Sequence, residues 1–327
     1  MNHSSKIIVV AGPTASGKTR LGIELAKLYD GEIVSADSMQ VYRRMDIGTA
    51  KADSNERTQA VHHMLDVAGP EEAYSVARYV EAAGRCCDDI LSRGKLPILV
   101  GGTGLYIDSL ISGRDFAEND GDRALRETLS EEYDRTGGEV MLQKLSAFDP
   151  ERAAKLHAGD KRRIVRAIEV YMLTGITITE HDRRTQAIPP RYEAARIVLN
   201  YADRAQLYRN IDLRVDRMVQ QGLFEEVQGL LESGLNPGCT AMQAIGYKEP
   251  AMALRGEISR DEAIELIKLN SRRYAKRQLT WFARCEDALR IDWQGQPDFA
   301  YALQLSTEFL SRRGYHDVLY PKGINTL

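Results

Sequence analysis

The sequence predicts an α/β fold: a P-loop NTPase-like parallel sheet flanked by helices, with an all-helical insertion domain. Three observations predict it. Residues 12–19 read Gly12-Pro13-Thr14-Ala15-Ser16-Gly17-Lys18-Thr19, a complete G-x-x-x-x-G-K-[ST] phosphate cradle. Short apolar runs alternate with helical periodicity around that motif, as a parallel sheet with crossover helices requires. From about residue 114 to about 191 the alternation stops and only helical signals remain.

Each element follows from its residues. Lys6-Ile7-Ile8-Val9-Val10-Ala11 is an apolar run fit for a buried strand, and Leu21, Leu25, Ala26 and Leu28 after the cradle recur at helical spacing. Glu32-Ile33-Val34-Ser35 makes the second strand. Ser75 caps a helix whose apolar face is Val76, Tyr79, Val80, Ala83, Ile90 and Leu91, and Gly94 ends it. Leu96-Pro97-Ile98-Leu99-Val100 is a further strand, closing in Gly101-Gly102-Thr103-Gly104. In the insertion, Leu125, Leu129 and Tyr133 mark one helix and Met141, Leu142 and Leu145 a second. Asp149-Pro150 starts a third, and Asp160 caps a fourth that carries Ile164, Ala167, Ile168 and Tyr171 to a stop at Gly175. Ile188-Pro189-Pro190 is a return linker, and Arg196-Ile197-Val198-Leu199-Asn200 rejoins the sheet. The remainder reads as helical, over 204–219, 222–233, about 246–256 and about 260–284. The domain reading is therefore a core over 1–113 and 192–327 with a helical insertion at 114–191.

Composition narrows the function classes. The chain has 327 residues, 43% of them hydrophobic, enough for a large core. No apolar run approaches the roughly 20 residues of a membrane span. The first strand begins so early that a signal peptide has no room, and Cys86, Cys87, Cys239 and Cys285 show no paired or zinc spacing. The expectation is a cytoplasmic protein with reduced thiols, monomeric by default. The net charge of −3 argues weakly against nucleic acid, but cations cluster. Lys161-Arg162-Arg163 with Arg166 forms one cluster; Arg272-Arg273, Lys276-Arg277, Arg284 and Arg290 form another. Local stripes of this kind can bind a polyanion whatever the global sum.

The candidate chemistry starts at the cradle. Backbone N–H groups of residues 12–19 and the following helix's positive end suit phosphate oxygens, Lys18 reaches a terminal phosphate, and Thr19 is the candidate Mg²⁺ ligand. Asp37 follows the second strand and is open to three roles: general base, metal ligand or helix cap. Gly101-Gly102-Thr103-Gly104 is either a tight strand-to-helix turn or a second close approach to ligand. Ligands of such sheets bind at the carboxyl ends of strands, so the cradle, Asp37 and Thr103 can converge. Residues 160–166 are a solvated basic face or a polyanion contact. Residues 272–282 mix cations with aromatics, as an RNA surface does; an amphipathic helix burying Tyr274, Leu279, Trp281 and Phe282 explains them equally well. His62-His63 has no metal spacing and reads as structural or polar surface.

Taken in order, the motifs resemble one family. They are Gly12–Thr19, Asp37-Ser38-Met39-Gln40-Val41-Tyr42, Met45 to Lys51, His63 to Asp66, Gly101 to Tyr106, Asp160–Glu169, Gly246-Tyr247-Lys248-Glu249 and Tyr274–Phe282. The set, spanning nearly the whole chain, resembles the tRNA dimethylallyltransferase (tRNA isopentenyltransferase) family in its bacterial form, without the zinc-finger extension of eukaryotic relatives. The resemblance implies transfer of a dimethylallyl group from its diphosphate to N6 of the adenosine 3′-adjacent to the anticodon, in tRNAs reading codons that begin with U. Diphosphate is released and Mg²⁺ assists. It implies Asp37, Thr103, Lys18 and Thr19 at the catalytic site, and Arg217 on the diphosphate with residues 12–19. It further implies tRNA contacts at Asp37, Ser38, Met39, Gln40, Thr103, Arg126, Arg162, Arg163, Ile164, Val165, Arg166, Gln243, Gly246, Tyr247, Lys248, Lys276, Arg277, Gln278 and Thr280. RNA and prenyl diphosphate would enter one channel from opposite mouths, with the insertion on the anticodon stem. Lys161 and Arg162 depart from the family's frequent Pro-Gln. Three rival readings share parts of this evidence. A small-molecule kinase leaves residues 272–282 unexplained, an AMP-prenylating enzyme needs no RNA surface, and a non-enzymatic RNA-binding module leaves the cradle and Asp37 idle.

Overall fold

The structure is a computed structural model that describes residues 5–113 and 122–316. The chain forms two compact units, one from the residues up to Gly113 together with Arg191 onward, the other Arg114–Pro190.

The first unit opens with β1 (Lys6–Ala11), α1 (Lys18–Leu28), β2 (Gly31–Ser35), α2 (Ser54–Gln59), β3 (His62–His63), α3 (Val76–Ser92), β4 (Leu96–Gly101) and α4 (Gly104–Ser112). The second unit holds α5 (Arg123–Thr136), α6 (Gly138–Ser146), α7 (Pro150–Ala153), α8 (Lys161–Thr174) and α9 (Ile178–Gln186). The first unit resumes with β5 (Glu193–Tyr201), α10 (Arg204–Gln220), α11 (Leu223–Glu232), a 3₁₀ turn at Ala241–Gln243, α12 (Lys248–Leu254), α13 (Arg260–Phe282), β6 (Leu289–Trp293) and α14 (Phe299–Arg312).

Six parallel strands form one sheet in the order β3-β2-β4-β1-β5-β6. The fold is the P-loop α/β type, as its sequence predicts. β4 lies between β2 and β1, with Ser35 opposite Val100 and Ala11 opposite Gly101. Three carboxyl ends that are remote in sequence thus become adjacent. Ile8, Val10, Ile98 and Ile197 on the strands pack with Leu21 and Leu25 of α1 and Leu207 and Ile211 of α10, all essentially buried. A second cluster joins Val41, Tyr42 and Met45 to Val215, Met218, Val227, Tyr247 and Ile267. It fixes the segment after β2 against α10–α13 and so holds Asp37 at a set position. In the second unit, Leu129, Met141, Leu145, Ile164, Val165 and Ile168 make a separate core.

Three elements depart from the sequence reading. The stretch after residue 284 is not wholly helical: Leu289-Arg290-Ile291-Asp292-Trp293 is β6, with Ile291 and Trp293 buried and Arg290 and Asp292 exposed. Such strict alternation is the signature of a half-buried strand. β3 is only two residues long, too short to show a period. Asp160 precedes α8 but makes no side-chain cap; its Oδ2 accepts from the His157 amide at 3.0 Å instead. Ser75 does cap α3, accepting from the Arg78 amide at 3.2 Å, and Gly175 ends α8 in the left-handed region at φ +69°.

Candidate active site

β1 delivers the chain at Ala11 into the phosphate cradle. Gly12 has φ +145°, and a Cβ there would sit 2.3 Å from the Leu199 carbonyl oxygen. Gly17 has φ +88°, and a Cβ there would meet the Phe299 ring at 2.7 Å. Only glycine suits both positions. The loop is pinned from two other elements. Gln278 Oε1 accepts from the Thr14 amide at 2.9 Å while its Nε2 donates to Gly102 O at 2.9 Å. Trp293 Nε1 donates to Ser16 O at 3.0 Å. Lys18 Nζ donates to Pro13 O at 2.7 Å. Ser16 Oγ is buried with no hydrogen-bond partner among the described residues, a donor left for a ligand oxygen to satisfy.

The cradle forms one wall of a cavity of about 490 Å³. Thr14 to Thr19 line it, together with Asp37, Gln40, Gly101, Gly102, Arg214, Arg217, Tyr274 and Gln278. Asp37 enters from the carboxyl end of β2. Its Oδ1 accepts from the amides of Met39 at 2.8 Å and Gln40 at 3.3 Å. It therefore caps a turn; no helix follows it, so the helix-cap role left open by its sequence does not apply. No hydrogen bond among the described residues goes to its Oδ2, so one carboxylate oxygen remains available to a ligand. Thr103 Oγ1 accepts from the Ser38 amide at 3.1 Å, and the Thr103 amide donates to Ala36 O at 3.1 Å. These two bonds lock the β2 and β4 exits together, which sets Thr103 beside Asp37. The Tyr274 hydroxyl is pushed up to about 12 by burial and by the charge of Asp37, so it stays a neutral donor.

Cations converge on the same space. Burial and the neighbouring Arg214 charge pull Lys18 down to about 7, against the opposing pull of Asp37. Burial likewise lowers Arg214, with Arg217 adding to the fall and Asp37 opposing it. No motif in the sequence marks Arg214. The available signal was helical spacing: Asn210, Arg214 and Arg217 stand at i, i+4 and i+7 on α10, and all three line the cavity. Arg217, which the resemblance implies on the diphosphate, also lines the cavity and is exposed. His62 lines it too, with Nδ1 2.8 Å from Ala60 O, while His63 Nε2 sits 2.7 Å from the buried Glu32 carboxylate.

The residues implied as tRNA contacts divide into three groups. Ser38 and Met39 share the Asp37 turn. Gln40 is tied down, its Oε1 accepting from Ser35 Oγ at 2.9 Å and its Nε2 donating to Thr49 O and Ala50 O. Gln243, Lys248, Lys276, Arg277 and Thr280 are exposed, and Arg277 stacks over the Tyr274 ring with its guanidinium 5.4 Å from the centroid. Others are buried. Gln278 is 5% exposed and bridges the two glycine loops. Tyr247 is fully buried with its hydroxyl donating to Glu226 Oε1 at 2.6 Å, and the buried Gly246 amide donates to Glu249 Oε2 at 2.9 Å. Ile164 and Val165 belong to the core of the second unit. Their side chains serve packing, because the apolar face of α8 is the face turned inward. Arg162 and Arg163 are exposed, with no ion pair among the described residues.

The second basic cluster also separates. Arg272 Nη1 pairs with Asp212 Oδ1 at 2.5 Å, and Arg290 Nη2 donates to the Phe282, Ala283 and Cys285 carbonyls at the end of α13. Arg273, Lys276, Arg277 and Arg284 remain as its exposed cations. Trp281 and Phe282 follow the amphipathic-helix reading, with Phe282 buried and Trp281 Nε1 donating to Asp108 Oδ2 at 2.8 Å. Gly104, which its sequence context leaves unremarkable, lies against the Trp281 ring, where a Cβ would approach within 2.3 Å.

Comparison with known proteins gives a consistent result. The IPP transferase family is matched at residues 40–285, and the isopentenyl transferase family at residues 5–67. A tRNA dimethylallyltransferase of Acetivibrio thermocellus is 47% identical over 293 residues, which is 90% of this chain and 92% of that protein. One from Halothermothrix orenii is 48% identical over 290 residues, covering 89% and 87%. The crystal structure of the full-length tRNA isopentenylpyrophosphate transferase of Bacillus halodurans aligns with TM-score 0.69 and 38% identity, covering 96% of this chain and all of that one. A eukaryotic dimethylallyltransferase acting on tRNA aligns with TM-score 0.77 and 30% identity, over 95% of this chain and 81% of that one.

Proposed function

The chain belongs to the IPP transferase family, and from that premise we propose that it is a tRNA dimethylallyltransferase working at the cavity between the cradle and Asp37. It moves a dimethylallyl group from dimethylallyl diphosphate to N6 of the adenosine 3′-adjacent to the anticodon, in tRNAs reading codons that begin with U, and releases diphosphate. The observation that carries the reading is the shared cavity: phosphate-binding cations and an aspartate with one uncommitted oxygen line the same space. A small-molecule kinase would use the cradle, the cations and even an acceptor-side aspartate, but it gives no reason for the exposed cations Arg273, Lys276 and Arg277 on α13.

Each residue has a share of the work. The diphosphate lies in the cradle, with loop amides, Ser16 Oγ, Lys18 and Arg214 around its oxygens. As the allylic C–O bond breaks, negative charge gathers on that leaving group, and these preorganised donors stabilise it. An adenine amine is a poor nucleophile because its lone pair is delocalised into the ring. Asp37 Oδ2 takes its proton as the new C–N bond forms. The backbone bonds at Oδ1 hold the carboxylate in one orientation, and Thr103 fixes the turn that carries it. The adenine leaves its stack to reach this depth, which costs a few kcal/mol and is cheaper from a loop than from a duplex. Arg273, Lys276, Arg277, Lys248 and Gln243 offer RNA an exposed polar and cationic surface on α12, α13 and the preceding turn.

Of the residues present, the Thr19 hydroxyl at the first turn of α1 lines the cavity and is a hard oxygen donor of the kind Mg²⁺ prefers, and the oxygens of a bound diphosphate and water would complete its shell. Thr19 would hold it, and when bound it would add positive charge beside the leaving group. A single assay tests the whole reading. The protein is incubated with labelled dimethylallyl diphosphate, Mg²⁺ and unmodified tRNA, AMP or ATP. Label in tRNA is the expected result. Label in AMP would transfer the chemistry to a free nucleotide, and ATP turnover without prenyl transfer would overturn it.

A further inference from the structure

In the second unit, one carboxylate that is wholly removed from solvent holds two half-exposed arginines. Glu169 has a side-chain exposure of 0%, while Arg126 and Arg166 are 48% and 43% exposed. Arg126 reaches it from α5 by two bonds, Nε to Oε2 at 3.1 Å and Nη2 to Oε1 at 2.9 Å. Arg166 reaches it from one turn earlier on α8, Nη1 to Oε2 at 2.9 Å. A fully desolvated carboxylate is a costly way to join two helices, and a well-packed apolar side chain would do that job as well or better. The carboxylate does what an apolar residue cannot. It anchors two like-charged guanidinium groups at one point, fixing the plane of Arg126 by two bonds and tethering Arg166 by one.

The group as a whole keeps one net positive charge. Nη1 of Arg126, and Nε and Nη2 of Arg166, make no hydrogen bond among the described residues. Two guanidinium groups anchored on one carboxylate keep free donors, and such donors suit the non-bridging oxygens of a phosphodiester. We propose that Glu169 is a positioning residue that presents Arg126 and Arg166 as one preformed fork for a backbone phosphate of the RNA substrate. This rests on the tRNA-modifying function above, and it adds a residue and a mode of contact to it. Prior ordering matters because a long arginine loses much rotamer freedom on binding, and here the buried anion has already taken that loss.

The sign of one substitution separates positioning from bulk charge. Glu169→Gln removes a negative charge next to two cations. If the arginines acted only through long-range attraction, RNA affinity would rise. If the fork depends on the carboxylate, affinity falls. The measurement uses the full-length protein and an unmodified tRNA anticodon stem-loop, titrated at several salt concentrations. Glu169→Gln is expected to bind about tenfold more weakly, with a shallower salt dependence. Its KM for tRNA should rise while kcat at saturating tRNA stays within about twofold, which a partly unfolded population could not produce. Arg126→Lys keeps the charge and cannot form the two-pronged contact, so it guards against a Glu169 variant that folds poorly. It should weaken binding comparably, and adding Glu169→Gln to it should cost little more. Unchanged or tighter binding by a folded Glu169→Gln protein, or fully additive losses in the pair, would overturn the fork. Failure of the wild-type protein to bind the stem-loop at all would instead remove the functional reading beneath it.

Discussion

Gln278 Oε1 accepts the Thr14 backbone N–H at 2.9 Å, across a sequence separation of 264 residues. The contact couples the phosphate cradle to α13, and the other end of the same amide reaches Gly102 in the second glycine loop. One buried side chain therefore sets the spacing of two loops that face the same cavity.

Gln278→Leu should expose the value of that spacing. It leaves a buried amide and a buried carbonyl unpaired, each costing about 1–3 kcal/mol. We expect a loss of stability of that order and a fall in kcat/KM for the prenyl donor of about tenfold or more, with stem-loop affinity within about twofold of wild type. A variant with a normal donor KM but weakened RNA binding would return Gln278 to the RNA surface. Transfer assays with either substrate varied make the distinction.

Asp37→Asn keeps an oxygen for the Met39 and Gln40 amides and discards the charge. The turn should survive and turnover should fall by roughly 10²–10⁴, the usual scale for losing a general base. Asp37→Ala removes both functions and should lose the ordered turn as well. Single-turnover kinetics with prebound tRNA would report the effect on chemistry directly, and near-normal turnover in either variant would exclude Asp37 as the base.

The lysine of the cradle gives a pH dependence with a definite sign. Lys18 is pulled down to about 7 by burial and by Arg214. A bound diphosphate favours the ammonium form and raises that value. Binding above neutral pH is therefore coupled to proton uptake, and affinity for inorganic diphosphate should fall by up to tenfold per pH unit once pH exceeds about 7, until the raised value of the complex is reached. Calorimetry in buffers of different ionisation enthalpy counts the proton. Lys18→Met should abolish the uptake. An unchanged uptake in that variant would assign it to another group.

The two arginines of α10 should differ in effect. Arg214 is desolvated and electrically coupled to Lys18 and Asp37, whereas Arg217 stands at the exposed rim. Arg214→Gln should weaken inhibition by diphosphate about 10²-fold, on the scale of losing a buried charge-assisted contact of 2–5 kcal/mol. Arg217→Gln should change it by less than about fivefold. The reverse ranking would place the leaving group nearer the rim.

Much of this was legible in the residues themselves. A cradle motif is local: two glycines, a lysine and a threonine must be contiguous for backbone N–H groups to enclose a phosphate, so residues 12–19 announce themselves. The apolar runs of β1, β2 and β4 and the silence of strand signals through the insertion are local as well. Burial is less so. Ile164, Val165 and Tyr247 look like parts of contact motifs in sequence, yet their side chains point into cores because neighbouring elements cover them, and Gln278 is buried between the two loops at the cavity wall. Arg214 is one arginine among several on α10, and nothing contiguous marks it.

What the sequence determined alone is the phosphate chemistry and the set of elements that carry it. What only the tertiary structure decided is who meets whom. β4 inserts between β2 and β1, so Thr103 comes to rest beside Asp37 and Gly102 beside the cradle; β6 and α13 then supply Trp293 and Gln278 to hold the loop. Strand order is set by long-range pairing and by the packing of crossover helices on a twisted sheet, not by any short run of residues. The same holds for Glu169, whose meaning depends on an arginine of α5, three helices earlier in the chain.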